Sequence, residues 1–373
     1  MASLTQLLRD VRQIMFRDSG QHAIPPLDGA FSPNDRLDAC LPIGDPLFNV
    51  DDVVEGDDGE LYVSAGPQVL RLTGDGYVER CVFARFDGHA GGLAVHPDGR
   101  LLVCVAGRGL AAVDMGGRQS WLNQVADQPL RCLTSVAAAA DGTIFASEGS
   151  SRYEPDNWCR DLMEKGHSGR LVVCGPGLDG AKVLLRGLWY PHGLAVSPDR
   201  RHLWFTESWA HRISRAEISG QAIAKPDPII GNLPGYPARL GRAATDGFWL
   251  SLFAVRTHLI EFVLREDDYR QEMLRSIPQA FWIAPTLAAT GHVLEPMQSG
   301  SVKALGIHKP WAPPRSYGLV ARVDSAGEAQ ESLHSRVGGA YHGITAACET
   351  AQGLVIVAKG SGRLVLRERG APT

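Results

Sequence analysis

The chain has 373 residues, with 37 Lys plus Arg against 41 Asp plus Glu and a formal charge of −4. That near balance excludes the basic footprint that a nucleic acid or an anionic membrane surface requires. Hydrophobic residues at 44% provide for a large core, and 42 Gly with 23 Pro supply turns for many short strands.

The first twenty residues, MASLTQLLRDVRQIMFRDSG, carry a charge every few positions and no continuous apolar run. They read as neither a signal peptide nor a membrane span, and the expected location is the cytoplasm. Leu4, Leu7, Leu8, Val11 and Ile14 fall near helical spacing, so residues 1–40 are expected to form a short helix and an extended arm. Seven scattered cysteines with no C-x-x-C pair argue against both a disulfide scaffold and a four-thiolate zinc site. Cys104 and Cys174 end apolar runs and read as small buried hydrophobes.

From residue 41 to 373 a repeated phrase organises the chain: an apolar strand, an Asp-Gly-type turn and a second apolar strand. It runs DDVVEGDDGELYVSA (51–65), GLAVHPDGRLLVCVA (92–106) and SVAAAADGTIFASEG (135–149). It returns as GLAVSPDRRHLWFTES (193–208), RLGRAATDGFWLSLFA (239–254) and GITAACETAQGLVIVAKG (343–360). A tight hairpin turn needs positive φ, which is why Asp-Gly between apolar runs marks a hairpin. The turn positions Gly59, Gly99, Gly142, Arg200, Gly247 and Gly353 lie 40, 43, 58, 47 and 106 residues apart. A four-stranded propeller blade takes roughly 40–50 residues. Six hairpins therefore predict an all-β, six-bladed propeller, with the long gaps filled by insertions at 150–168 and 256–316. The second insertion contains EDDYRQEMLRSIPQAFWIAP, where Tyr269, Met273, Leu274 and Ile277 predict a helix closed by proline. A long loop on a rigid scaffold reads as a lid or as a contact between copies in a homo-oligomer.

HGLAVSPDRRHLWFTESWAHRISR (192–215), GNLPGYPARLGRAATDGFWLSL (231–252), SSRYEPDNWCRDLMEKGHSGRL (150–171) and YGLVARVDSAGE (317–328) resemble successive blades of the strictosidine synthase-like family. That family sits in a superfamily with gluconolactonases and paraoxonase-type hydrolases. The resemblance covers about residues 45–368 and implies a small-molecule enzyme acting at the central channel. It does not choose among condensation, lactone hydrolysis and phosphoester hydrolysis, because fold alone does not fix function.

In register with the x-Gly-Leu-Ala phrase, the channel positions are Asp51, Gly91, Thr134, His192, Ala238 and His342. Calcium-dependent hydrolases of the superfamily place a Glu, two Asn and an Asp at such positions. Calcium takes six or more hard oxygens, so it is not expected here. The family's condensing enzyme uses a Glu in the final blade, whereas YHGITAACE offers Gly343 or Thr345 at that place, with His342 the nearby titratable group. Asp51, His192 and His342 remain as a candidate cluster with three readings. They hold one divalent transition metal (Zn, Fe or Mn), they act as a metal-free acid–base set, or they are hydrogen-bonded channel residues.

Arg239 stands beside the channel, either to bind a substrate carboxylate or to pair with Asp51 or Asp52. Thr134, Tyr236, Tyr190, Trp311 and His89 are the other candidate substrate contacts. The expected activity is hydrolysis of a lactone, ester or related bond. The alternatives are a metal-free condensation or rearrangement in secondary metabolism, and a propeller that binds a ligand or partner without catalysis.

Overall fold

The computed structural model describes residues 24–288, 303–304, 307–308 and 316–370. The expected helix of residues 1–20 and Trp311 lie outside the described residues. Six antiparallel blades surround a central channel, as the hairpin count predicts; five have four strands and blade four has five. Their innermost strands are Val50–Glu55, Ala90–Val95, Leu133–Ala138, Pro191–Val196, Gly235–Arg242 and Ile344–Glu349. Each packs against the next, and the sixth returns to the first.

The ring is closed by chain exchange. Blade six takes three strands from the C-terminal end, and its outermost strand is Leu41–Pro42, paired through Leu41–Leu366 and Pro42–Val365. Residues just before it follow the outer strand of blade five, where the Asn34 side chain bonds Ser332 O and the His334 N–H. The turn glycines at 59, 99, 142, 247 and 353 have positive φ, and so does Arg200, which occupies the glycine position of blade four.

The core lies between the blades. Val63, Leu72, Val355 and Val357 join blades six and one, while Leu102, Cys104, Ile144 and Cys174 join blades two and three. The two cysteines are buried, as their place at the ends of apolar runs implies. Adjacent innermost strands approach very closely: a Cβ on Gly193 would lie 2.3 Å from Ala238 O.

Both insertions leave their blades between the second and third strands, so both lie at the end of the channel where the innermost strands begin. The first contains helix α1 (Trp158–Met163). The second contains α2 (His258–Arg265), which the spacing of apolar residues did not predict, and α3 (Asp267–Ser276), close to the helix expected there. Thr257 caps α2, its hydroxyl oxygen accepting from the Ile260 N–H at 3.3 Å. The insertions pack on each other through Cys159, Leu162, Met163, Ile260, Val263, Leu264 and Met273. Lys165 Nζ lies 2.7 Å from Asp267 Oδ1, and the Arg270 guanidinium donates to Met163 O. His211 is buried. It bonds Gly235 O and faces Glu261 on α2, which ties the second insertion to blade four.

Candidate active site at the channel mouth

Each innermost strand breaks register with its neighbour at the mouth. Pairing jumps from Val50–Ala65 to Asp52–Ser64, from Leu133–Glu148 to Ser135–Ser147 and from Ile344–Ala358 to Ala346–Val357. It jumps likewise from Ala90–Val105 to Leu93–Val103, from Pro191–Glu207 to Leu194–Phe205 and from Pro237–Leu252 to Leu240–Leu250. Across each of these steps the inner strand carries one residue more than its partner, a bulge that re-aims a side chain, and in blade five an opposite shift between Tyr236 and Pro237 precedes it. The bulged positions are Asp51, Gly91–Gly92, Thr134, His192–Gly193, Ala238–Arg239 and Thr345.

That series corrects the sequence register in two blades. In blade five Arg239, not Ala238, reaches the channel. In blade six Thr345 does so, three residues beyond His342. Asp51, Gly91, Thr134, His192, Arg239 and Thr345 line one cavity of about 240 Å³ at the mouth. Its remaining wall includes Asn49, His89, Asp156, Lys359, Trp158, Tyr190, Phe253 and Leu287.

Arg239 is the centre of the polar half. It is buried, and its Nη2 lies 2.5 Å from Asp51 Oδ2. Nη1 donates to Asp51 O at 2.9 Å, Nε and Nη2 donate to Thr134 O at 3.0 and 2.7 Å, and Nε lies 3.3 Å from Asp52 Oδ2. Of the two roles open to Arg239, its guanidinium is engaged in pairing with Asp51 and Asp52. The other oxygen of Asp51 accepts from Lys359 Nζ at 2.6 Å. Lys359 was missed in the sequence, although it directly follows the second strand of the blade-six phrase, GLVIVAKG, at the channel mouth.

Burial opposes the charge on Asp51, but Arg239 and Lys359 outweigh it and hold the carboxyl well below the usual carboxylate range. At Asp52 burial prevails over Arg239 and lifts the carboxyl to about 6. Burial, reinforced by Arg239, lowers the His192 imidazole to about 3. His192 is therefore neutral near pH 7. Its ring lies between Tyr190 and Phe253, and its buried Nδ1 has no hydrogen-bond partner.

Thr134 lines the cavity with its hydroxyl engaged, since Oγ1 donates to Pro191 O at 2.7 Å. The Thr345 hydroxyl donates to Asp51 O at 2.7 Å. Tyr190 is a wall residue, as expected. Tyr236 is not: it is fully buried behind the wall and stacked on Phe253 at 5.7 Å. His89 is at the rim as expected, with Nδ1 2.9 Å from Asn49 Nδ2 and 3.6 Å from Asp156 Oδ2.

His342 lies away from the cavity wall. Its Nε2 is 3.0 Å from Arg336 O, and its Nδ1 is 2.9 Å from Ser316 Oγ. A carbonyl only accepts, so Nε2 carries the proton and Nδ1 accepts from Ser316. Burial lowers this imidazole too. The Gly after it leaves room for the backbone of the second insertion: a Cβ on Gly343, whose φ is +66, would lie 2.8 Å from Leu287 O.

The cluster of Asp51, His192 and His342 is therefore not assembled. Among the described residues no three His, Cys, Asp or Glu side chains converge as a metal site. Both Asp51 oxygens face cations, and the hydroxyls of Thr134 and Thr345 are donors to carbonyls. This set fits neither calcium, which needs many free oxygens, nor a two-His-one-carboxylate centre.

Residues 135–221 match the strictosidine synthase family. A strictosidine synthase-like 4 protein of Arabidopsis thaliana is 29% identical over 165 residues, 44% of this chain and 44% of that protein. An adipocyte plasma membrane-associated protein of Gallus gallus is 24% identical over 306 residues, 75% of this chain and 72% of that protein. The match thus spans less than half the length of the plant relative. Among solved structures, a gluconolactonase from Xanthomonas campestris superposes with a TM-score of 0.57 at 16% identity, over 90% of this chain and 94% of that one. Regucalcin from Agrobacterium tumefaciens, a calcium-binding protein, gives 0.54 at 12% identity, over 87% and 93%.

At such identities the structural likeness shows the fold, a six-bladed β-propeller. Together with the sequence matches, it makes the chain a six-bladed propeller with strictosidine synthase-like homologues. No described helix is long and apolar enough to cross a membrane.

Proposed function

We propose that the chain is a small-molecule hydrolase that opens a lactone or cleaves an ester in the mouth cavity. One observation carries the reading. The cavity sets an ammonium group, Lys359, and two imidazoles of different surroundings, His192 and His89, around a pocket with an aromatic wall. Such a pocket, apolar with a few convergent polar groups, suits a small ligand.

The substrate is an uncharged one, because the cavity's charges are already matched to each other. Trp158, Tyr190 and Phe253 take its apolar part. The Lys359 ammonium, held by Asp51, faces the carbonyl oxygen and stabilises the negative charge that develops there. Neutral His192 adds a hydrogen bond to that oxygen or to the leaving oxygen. His89 is the base: with the Asn49 amide turned so that its oxygen accepts from Nδ1–H, Nε2 is the ring's acceptor and is left for water. Water loses a proton to His89 and attacks the carbonyl carbon. The C–O bond then breaks, and the proton passes to the leaving alkoxide.

The test is a screen of γ- and δ-lactones and aryl acetates against the wild type and His89→Gln. Wild-type turnover that falls about 10²–10⁴-fold in the variant, at similar KM, is expected. Absence of turnover in the wild type would overturn the hydrolase reading, and equal kcat in both proteins would remove His89.

A further inference from the structure

We propose that the Arg239 guanidinium is the resident cation of this channel, occupying the place among converging oxygens that a metal cation would otherwise take, and that it positions Asp51 and through it Lys359. This role holds whichever reaction the cavity performs.

Arg239 leaves blade five at its bulge and spans the channel. It contacts four oxygens from two other blades: Asp51 O, Asp51 Oδ2 and Asp52 Oδ2 in blade one, and Thr134 O in blade three. Thr345 adds blade six, donating to the same Asp51 carbonyl. Two carboxylates and two carbonyls are a hard-oxygen set of the kind that surrounds a metal cation. Here they surround a planar fork whose N–H donors point outward in fixed directions.

The charges agree with this role. Asp51 and Asp52 are both buried, and two adjacent buried carboxylates need compensating charge. Arg239 lies against both, and Lys359 supplies the second positive charge at Asp51. Position agrees as well. Arg239 lines the mouth cavity on one side and, on the other, the larger cavity at the opposite end of the channel, so it forms the floor between them. A guanidinium cannot be removed by a chelator. A fold knitted by one should ignore calcium, and deleting the side chain should leave an oxygen-lined hole that accepts a cation from solution.

The experiment has two arms, both read by thermal unfolding. In the first, the wild type is scanned with EDTA and with calcium chloride, and the midpoint is expected to stay unchanged. A fall with EDTA that calcium reverses would overturn the proposal. In the second, Arg239→Ala is scanned with guanidinium chloride at millimolar, non-denaturing concentration, with calcium chloride, and with sodium chloride at equal ionic strength. The variant should have a lower midpoint that guanidinium or calcium raises and sodium does not. Calorimetric titration with the same cation should show one site that the wild type lacks. An unshifted midpoint in Arg239→Ala, or a loss that neither cation restores, would overturn the proposal. If Arg239→Ala is recovered only unfolded, Arg239→Lys takes its place. It keeps the charge without the fork, and an unfolding midpoint equal to that of the wild type would refute the need for a guanidinium.

Discussion

Lys359 Nζ lies 2.6 Å from Asp51 Oδ1 while Arg239 holds the other Asp51 oxygen, so one carboxylate is shared between two cations from different blades. The sharing fixes the ammonium at the cavity wall, where a free lysine would trade among rotamers. Lys359→Met keeps most of the volume and removes the charge. In a lactone or aryl ester assay its kcat should fall about 10²–10³-fold, the usual cost of losing an oxyanion donor. Undiminished turnover would show that Lys359 serves only to neutralise Asp51.

His342 carries a different expectation. Its ring joins Ser316, at the return of the second insertion, to Arg336 O. His342→Ala should destabilise the fold by about 1–3 kcal/mol, because it leaves buried polar partners unmade. Turnover should stay within about twofold, since the ring lies outside the cavity and is asked to supply no part of the barrier. A collapse of kcat with unchanged stability would return His342 to the mechanism.

The innermost strands offer a test of packing. Gly193 has no room for a methyl group, since a Cβ would meet Ala238 O at 2.3 Å and Arg239 Cα at 2.8 Å. Gly193→Ala should cost about 1–3 kcal/mol by overpacking and should disturb Arg239 directly. Gly99→Ala is the control: its turn is open, with φ at +86 and nothing within 4 Å, so the cost is the backbone conformation alone. That is about 1–2 kcal/mol. Comparable stability losses with a loss of turnover only in Gly193→Ala would show that the inner-strand contact sets the site.

Much of the architecture was legible because a hairpin is a local object. Asp-Gly turns and alternating apolar runs state where each blade folds back, and even Arg200 keeps the turn conformation that its place in the repeat demands. The site was legible only as far as the inner strands keep a common register. Asp51, Thr134 and His192 follow the phrase. In blade six the His-Gly-Ile wording copies that of blade four, yet the bulge falls at Thr345, and the homology of wording pointed to His342. Arg239 was legible beside the channel, with pairing to Asp51 or Asp52 as one of its two expected roles. Lys359 was harder: its importance lies in reaching across the channel, and no spacing along the chain records which side chains meet there.

Acid should destabilise this protein through its buried histidines. Burial lowers His192 to about 3 and His334 to about 4, and it lowers His342 as well, against an ordinary value of 6.5. His334 is fully buried, bonded to the Tyr317 hydroxyl and to Ser332 Oγ. Between pH 6.5 and the lowered values, the unfolded chain binds protons that the folded chain refuses. Stability is therefore full above pH 6.5 and falls as the solution is acidified. Each such histidine costs about 1.4 kcal/mol per pH unit crossed between its unfolded and folded values. Asp52 works the other way: its folded value near 6 lies above the ordinary 3.8, so it favours the folded state as pH falls from 6 to 4. Burial raises the Asp161 carboxyl as well, and two carboxyls against three imidazoles leave the histidine effect in control. The unfolding midpoint should drop steadily from pH 6.5 to about 4.5. His192→Phe, which keeps a ring between Tyr190 and Phe253, should flatten part of that slope. A midpoint that holds or rises on acidification would mean that these rings are charged in the folded protein.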